Sequence, residues 1–225
     1  AKDATKGYAV DFVSSVLKLN LRQIAGQKVK IISNAGGVNP EACAEAIREL
    51  LKELKLDLKV SVVLGDDLIG QKNKFSELNT KEMYSDEAFP NEDKIASINA
   101  YLGAFPIAEA LKSGADIVIT GRSVDSAVTL GACIYTFGWN EKEYDKLAAG
   151  SLAGHIIECG TQSTGGNFTD WELVSKDLHQ IGYPIVEVSE DGSFDCTKSK
   201  NSTGMVSFGT VAEQMLYEIG DPQAY

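Results

Sequence analysis

An uninterrupted apolar segment that runs into a glycine turn is the feature that most constrains how this chain folds. Residues 117–120 (Ile-Val-Ile-Thr) lead directly to Gly121, and Ser123 then precedes a helix-type pattern of small and apolar residues. The pattern predicts a buried strand, a tight turn and a helix capped by Ser123. Ligands of open α/β sheets bind outside the carboxyl ends of such strands, so we expect a binding crevice next to Gly121.

Two further strand patterns precede this segment. Residues 28–33 predict a short strand, and a glycine-containing turn then leads to a helix from Pro40 to about Lys55 with Asn39 as its N-cap. Residues 59–64 predict a second strand. Because helices fill the gaps between these strands, we expect a mainly parallel sheet with right-handed crossovers.

The predicted fold class is therefore α/β, a three-layer sandwich with a mainly parallel sheet. Residues 185–188 and 193–197 flank a turn and add a small C-terminal β-hairpin region. Apolar spacing also predicts a helix near the N-terminus that Asn20 ends, and a final helix over 210–219 capped by Thr210 and Glu213.

Composition excludes several classes of partner. A net charge of −11 over 225 residues argues against binding to nucleic acid, which needs a basic face, and against an anionic membrane surface. The sequence has no signal-peptide pattern and no apolar run long enough to cross a bilayer, so we expect a cytoplasmic protein. The four cysteines form no CxxC pair, which favours free thiols over a disulfide framework or a zinc site.

The candidate ligand-binding residues follow the predicted strands or lie in one glycine-rich loop. Turn N–H groups, hydroxyls, amides and a guanidinium are suited to a phosphate or a carboxylate. These residues are Asn34, Gly36, Gly37, Gly121, Arg122, Gln162, Thr164, Gly165 and Gly166. The alternatives are that the glycines serve turn geometry alone and that Arg122 forms an ion pair with Asp116 or Asp125.

The candidate acid–base residues are Asp66, Asp67, Asp125 and His155. The adjacent Asp66 and Asp67 could position a hydroxyl, hold a metal ion or act as a base, or they could form a solvated turn. His155 and Cys159 stand four residues apart on one helical face, with Glu158 beside them. A helix C-terminus opposes a thiolate, so Cys159 is more simply a small buried side chain.

Taken together, these motifs resemble the acyclic terpene utilisation AtuA-like family. The shared segments are 33–40 (SNAGGVNP), 65–68 (GDDL), 99–104 (NAYLGA), 115–122 (ADIVITGR) with Asp125, 148–150, 154–155, and 158–160 with 164–166. The resemblance implies a cytoplasmic protein linked to the breakdown of acyclic terpenes such as citronellol and geraniol through CoA thioesters. It also implies additional chain before Gly7 and after Tyr225, so we expect residues 1–225 to form a single α/β domain, the central part of a longer protein.

Three functions follow as hypotheses. The first is an enzyme, or a component of one, that binds or transforms an acyl-CoA or carboxylate intermediate. The second is a non-catalytic binding or scaffold module for CoA-dependent enzymes, and the third is a metal-dependent hydrolase that uses Asp66, Asp67 and His155. The reaction class and any cofactor stay open. The expected partners are a small anionic molecule and either a second copy of the chain or a partner enzyme.

Overall fold

The structure, a computed structural model, describes residues 3, 5–78 and 80–220. It divides into two compact units, Ala1–Val124 and Asp125–Tyr225. Within the described residues, the first unit contains a three-stranded parallel sheet and the second a two-stranded antiparallel sheet. The predicted α/β class, with its parallel sheet and C-terminal hairpin, is confirmed. In the described part of the chain, no helix is long and apolar enough to cross a membrane.

The elements of the first unit begin with a π-helix, Phe12–Leu17, which continues directly into α1. In chain order they are α1 (Lys18–Gln27), β1 (Ile31–Ser33), α2 (Pro40–Leu54), β2 (Val60–Val63), α3 (Lys72–Glu77), α4 (Phe105–Lys112) and β3 (Ile117–Thr120). Those of the second unit are α5 (Ala127–Phe137), α6 (Tyr144–Glu158), β4 (Pro184–Val188), β5 (Phe194–Lys198) and α7 (Phe208–Leu216). A short 3₁₀ helix, Gln162–Thr164, follows α6.

The strand predicted over residues 117–120 is the centre of the parallel sheet. The strand order is β1-β3-β2, and Ile117 pairs with both Ile31 and Val60. All four residues of β3 are buried, as expected for a central strand covered by helices on both faces. The chain therefore passes over β3 on its way from β1 to β2 and then returns to fill the middle position.

Helices cover both faces of this sheet. Ile117 and Ile119 belong to a buried cluster that also takes side chains from the π-helix, α1 and α2. Because successive strand residues point to opposite faces of a sheet, Ile117 and Ile119 face the same side. Helix α4 contacts both β2 and β3 and buries Ile107, Ala108 and Leu111. The chain crosses from β1 to β2 in one direction and returns from β2 to β3 in the other. Because right-handed crossovers in opposite directions place their helices on opposite faces of a sheet, the fold has three layers.

Asn39 and Pro40 start α2 as predicted. The Asn39 side-chain oxygen accepts a hydrogen bond from the backbone N–H of Ala42 at 3.3 Å, and its amide donates to the carbonyl of Lys6 at 2.8 Å. Helix α2 ends at Leu54, and the left-handed backbone of Lys55 satisfies carbonyls of its last turn. The sequence therefore located both ends of α2.

We expect Asn39→Ala to lower the free energy of unfolding by about 1 kcal/mol, because the cap on α2 is lost. Asn39→Asp keeps the acceptor oxygen of the cap but replaces the amide that donates to the Lys6 carbonyl, so its loss should be smaller. Urea denaturation of both variants measures the difference. Equal losses in the two variants would show that the cap contributes nothing.

Two predicted helix boundaries were wrong. Residues 122–124 do not begin a helix, because the backbone of Leu102 pairs with them: its N–H donates to the Arg122 carbonyl at 3.0 Å, and its carbonyl accepts from the Val124 N–H at 3.0 Å. Asn20 does not end the first helix. Its side-chain amide donates to the Val16 carbonyl at 2.7 Å, and α1 continues to Gln27.

The start of the last helix was also predicted too late in the chain. Helix α7 begins at Phe208, and Ser207 is its N-cap. The Ser207 hydroxyl accepts from the N–H of Thr210 at 3.2 Å, and the Thr210 hydroxyl accepts from the N–H of Ser207 at 2.9 Å. Thr210 therefore takes part in a capping box as the third helical residue of α7, and the N-cap is Ser207.

The small residues of α6 allow a close helix contact in the second unit, as predicted. A Cβ atom on Gly154 would lie 2.8 Å from the backbone Cα and O of Ser126, just before α5. A Cβ atom on Gly150 would lie 2.8 Å from the Leu130 side chain of α5. Helices α5 and α6 therefore pack with backbone close to backbone.

Candidate functional site

A cleft lies at the carboxyl edge of the sheet in the first unit; Asp66 and Asp67 are among its lining residues, whereas none of the predicted ligand-binding residues is. Its volume is about 600 Å³, which is within the range of small-molecule sites. The lining residues come from the start of α2, the segment after β2 and the segment before α4. They are Val38, Asn39, Pro40, Glu41, Leu64, Gly65, Asp66, Asp67, Ile69, Ala96, Ser97 and Asn99.

Asp66 is a buried carboxylate that joins two segments at this edge. It is only 4% exposed. Its Oδ2 atom accepts hydrogen bonds from the backbone N–H of Arg122 at 2.9 Å and from the Asn99 side-chain amide at 3.1 Å. Its backbone carbonyl accepts from the Ala100 N–H at 2.9 Å. Asp66 therefore fixes the turn after β3 against the segment that contains Asn99.

Two predicted ligand-binding glycines have close packing partners. A Cβ atom on Gly121 would lie 2.3 Å from Asp66 Oδ1, and one on Gly36 would lie 2.4 Å from the Thr120 carbonyl oxygen. Either distance is far below a van der Waals contact. Glycine is therefore needed at both positions for packing. The sequence had left such a structural role open as the alternative to ligand binding.

The turn after β1 contains two further predicted ligand-binding residues, Asn34 and Gly37. Gly37 has a positive φ of 53°, and its N–H donates to the Asn34 carbonyl at 3.1 Å. A Cβ atom there would lie 2.8 Å from the Gly7 carbonyl oxygen. Asn34 is exposed. The backbone geometry of this turn therefore accounts for Gly37, while the side chain of Asn34 faces solvent.

Asp67, the neighbour of Asp66, has a different environment. It is exposed, and its Oδ1 atom accepts a hydrogen bond from the Ile69 N–H at 3.0 Å. The two carboxylates therefore do not share one buried site. Asp67 stabilises the turn through one oxygen, as a solvated turn residue would, and it also lines the cleft.

Arg122 stacks on an aromatic side chain of the same unit. Its guanidinium lies over the ring of Tyr101, 5.1 Å from the ring centre, and its Nη2 donates to the Tyr101 hydroxyl at 2.7 Å. Asp116 is one of the two residues that the sequence offered as an ion-pair partner of Arg122. Its carboxylate lies 3.5 Å from Lys30 Nζ. Sequence reasoning singled out neither Asn99, which lines the cleft, nor Tyr101, although both belong to the NAYLGA motif.

In the second unit, His155 and Glu158 form a partly buried pair on the last turn of α6. Nδ1 of His155 lies 3.0 Å from Oε1 of Glu158, and the two side chains are 19% and 14% exposed. Burial raises the pKa of the Glu158 carboxyl, and the hydrogen bond to His155 opposes the rise. Asp125, which is exposed, and Glu218 raise the pKa of Glu158 further by their charge. Cys159 is a free thiol at the C-cap of α6, where it was predicted.

The glycine-rich loop after α6, which the sequence predicted to bind a ligand, is closely packed. Thr164 is fully buried, and its hydroxyl lies within hydrogen-bond distance of two carbonyl oxygens, those of Thr161 at 3.0 Å and Gly182 at 2.6 Å. Cβ atoms on Gly165 and Gly166 would lie 2.8 Å from the Val174 side chain and 2.6 Å from Thr161 Oγ1. This loop is therefore packed against its own unit, and its glycines permit that packing.

The four cysteines are free, as expected. Burial raises the pKa of the Cys43 thiol to about 11 and also raises the pKa values of Cys133 and Cys196. Among the residues that the structure describes, no three His, Cys, Asp or Glu side chains are grouped so that they could hold a metal ion.

The fold and the cleft define an α/β protein with a ligand-sized cavity at the carboxyl edge of a parallel sheet. The chain belongs to the acyclic terpene utilisation family AtuA, whose family model matches residues 1–225. The resemblance seen in the sequence motifs is thereby confirmed. No curated protein and no solved structure matches the chain.

Proposed function

We propose that the protein binds a carboxylate or acyl-CoA intermediate of acyclic terpene breakdown at the carboxyl edge of the sheet in its first unit. The observation that carries this proposal is the cleft at that edge, whose buried lining residue Asp66 accepts a hydrogen bond from the backbone N–H of Arg122. Parallel sheets of α/β proteins bind their ligands at this edge. Membership of the acyclic terpene utilisation family supports a branched, apolar ligand.

The lining of the cleft suits a ligand with an apolar body. Val38 and Leu64 line it and are 62% and 53% exposed, and Ile69 adds a third branched side chain. Covering such side chains with a hydrocarbon chain is favourable by about 25 cal/mol per Å² of apolar surface removed from water. The branched chain of a terpenoid acid would supply that surface.

The charges of the site determine the orientation of such a ligand. Glu41, Asp66 and Asp67 line the cleft and would repel an anionic group placed among them. The backbone N–H of Arg122 is bonded to the lining residue Asp66, so the Arg122 side chain leaves the backbone at the edge of the cleft. We therefore place the anionic group at the Arg122 guanidinium, which can hold a carboxylate through two parallel hydrogen bonds.

A thermal-shift assay with 3,7-dimethyloct-6-enoate and with its CoA thioester tests this assignment. At about 100 times the dissociation constant, a ligand stabilises the folded state by roughly 2.7 kcal/mol, which corresponds to a rise in Tm of about 5–10 °C for a chain of this size. Octanoate, a straight-chain acid, should give a smaller rise. No shift with either branched compound would contradict the proposal.

Three variants test the role of Arg122. We expect Arg122→Gln to weaken binding by about 10- to 100-fold, because charge-assisted hydrogen bonds contribute about 1.5–3 kcal/mol. Arg122→Lys keeps the charge but not the paired geometry, so its loss should be intermediate. Arg22→Gln, at an exposed position of α1, should bind as the unmodified protein does. Unchanged affinity in Arg122→Gln would exclude this orientation of the ligand.

A further inference from the structure

The second unit contains several buried polar atoms that have no hydrogen-bond partner among the described residues of the chain. Such groups are rare in folded proteins, since leaving one unpaired costs about 1–3 kcal/mol. Among the described residues, they are Nε2 of His155, Oε2 of Glu158, Oε1 of Gln162, Oγ of Ser163 and Oε1 of Gln214. We call these five residues the polar junction.

The polar junction lies where three elements of this unit pack together. His155 and Glu158 are on the last turn of α6, and Gln162 and Ser163 are in the 3₁₀ helix that follows it. Gln214 comes from α7, which packs against both α6 and the 3₁₀ helix. Its Nε2 donates to the backbone carbonyl of His155 at 2.7 Å. The five atoms therefore come from one region of the unit.

Most of these atoms are acceptors that need a donor. The bond from Gln214 Nε2 to the His155 carbonyl fixes the orientation of that amide and identifies its unpaired atom as the oxygen. Glu158 Oε2 is a carboxylate oxygen. His155 Nε2 becomes an acceptor when the Nδ1–H of a neutral ring donates to Glu158. Gln214 and Ser163 are 1% and 0% exposed, so bulk water does not reach them.

The charges around the polar junction are predominantly negative. Burial is the main cause that disfavours a negative charge on Glu158; the carboxylates of Asp125 and Glu218 add to it, whereas His155 opposes it. Helix α6 ends at Glu158, and α7 ends at Leu216, two residues before Glu218. The C-terminal end of a helix carries a partial negative charge, so both helices add to this potential.

From this arrangement we propose that the polar junction is a binding site for a small cation that carries N–H donors, an ammonium or a primary ammonium group. An ammonium ion would supply hydrogen bonds to several acceptors at once and a positive charge beside Glu158. Water would supply the hydrogen bonds but not the charge. The site belongs to the second unit and does not rest on the proposed function.

NMR of the histidine rings tests this proposal directly. The chain has two histidines, and His179→Gln identifies the signal of His155. We expect methylammonium to shift the His155 ring signals in a saturable way. Tetramethylammonium has the same charge but no N–H donor and should leave them unchanged. Potassium chloride distinguishes an alkali-ion site: an equal response to potassium and methylammonium would contradict the requirement for N–H donors.

Two variants connect any response to these residues. Glu158→Gln removes the negative charge with little change of shape, and Gln214→Met removes the acceptor at similar volume. Each should weaken methylammonium binding at least tenfold, whereas Glu187→Gln, at an exposed position of β4, should bind as the unmodified chain does. If a variant fails to fold, the comparison of methylammonium with tetramethylammonium on the unmodified chain still decides. No response to methylammonium, or an equal response to both amines, would overturn the proposal.

Discussion

Replacing Gly121 with alanine is expected to lower the free energy of unfolding of the first unit by about 3 kcal/mol, a combination of overpacking and lost hydrogen bonds. The new Cβ atom would lie 2.3 Å from Asp66 Oδ1 and 2.7 Å from Asp66 Cγ. The buried carboxylate would have to move, and its bonds to the Arg122 N–H and the Asn99 amide would be lost. Urea denaturation measures the loss.

A double-mutant cycle shows whether Asp66 is the cause. Asp66→Ala alone should be destabilising, because it leaves the Arg122 N–H and the Asn99 amide without their acceptor. In the Asp66→Ala background, however, Gly121→Ala no longer meets a carboxylate. We expect the double variant to be more stable than the sum of the two losses predicts, by about 1–2 kcal/mol. Simple additivity would contradict the contact.

Gly103→Ala is the matched control for Gly121→Ala. It lies in the same unit, and a Cβ atom there would meet nothing within 4 Å. We expect its unfolding free energy to change by no more than about 0.5 kcal/mol, the usual range for surface substitutions. A loss as large as that of Gly121→Ala would mean that alanine is unfavourable at both positions for a reason other than contact with Asp66.

Gly36→Ala is expected to have an effect of at least the same size, about 3 kcal/mol or more. Its Cβ atom would lie 2.4 Å from the Thr120 carbonyl oxygen and 2.5 Å and 2.7 Å from Cβ and Cα of Pro40. These neighbours are the end of β3 and the start of α2, neither of which can move as a flexible side chain does. The substitution should therefore force the two elements apart.

Thermal denaturation followed by circular dichroism measures the effect at Gly36. Gly70→Ala serves as the control, because a Cβ atom at Gly70 would have no neighbour within 4 Å. If Gly36→Ala lost less than about 1 kcal/mol, the close approach of β3 and α2 would be incorrect.

The elements that could be predicted from the sequence are those set by local patterns. Residues 117–120 are apolar or β-branched throughout, which identifies a strand buried on both faces. Asn39 and Pro40 carry a capping signal that needs no tertiary contact. The start of α5 was missed because Leu102 pairs with residues 122–124, and a local pattern contains no information about that partner.

The sequence could indicate the edge of the sheet at which the cleft lies, but not the contacts of the residues there. Side chains that follow parallel strands meet at one edge, so the sequence indicated Asp66, Gly121 and Arg122 together. The bond between Asp66 and Asn99 joins residues 33 positions apart in the chain. The stacking of Arg122 on Tyr101 is likewise a contact between distant residues. Packing of this kind also explains Gly36 and Gly121, which the sequence assigned to ligand binding.

Filling the cleft tests the central claim, that the ligand binds at the carboxyl edge of the first unit. Ala96 lines the cleft and is exposed, so Ala96→Trp should fill that space without disturbing the core. Ala88→Trp, at another exposed position of the same unit, is the control. The measurement is isothermal titration calorimetry with 3,7-dimethyloct-6-enoate. We predict that Ala96→Trp abolishes binding while Ala88→Trp retains it; full affinity in Ala96→Trp would contradict the proposed site.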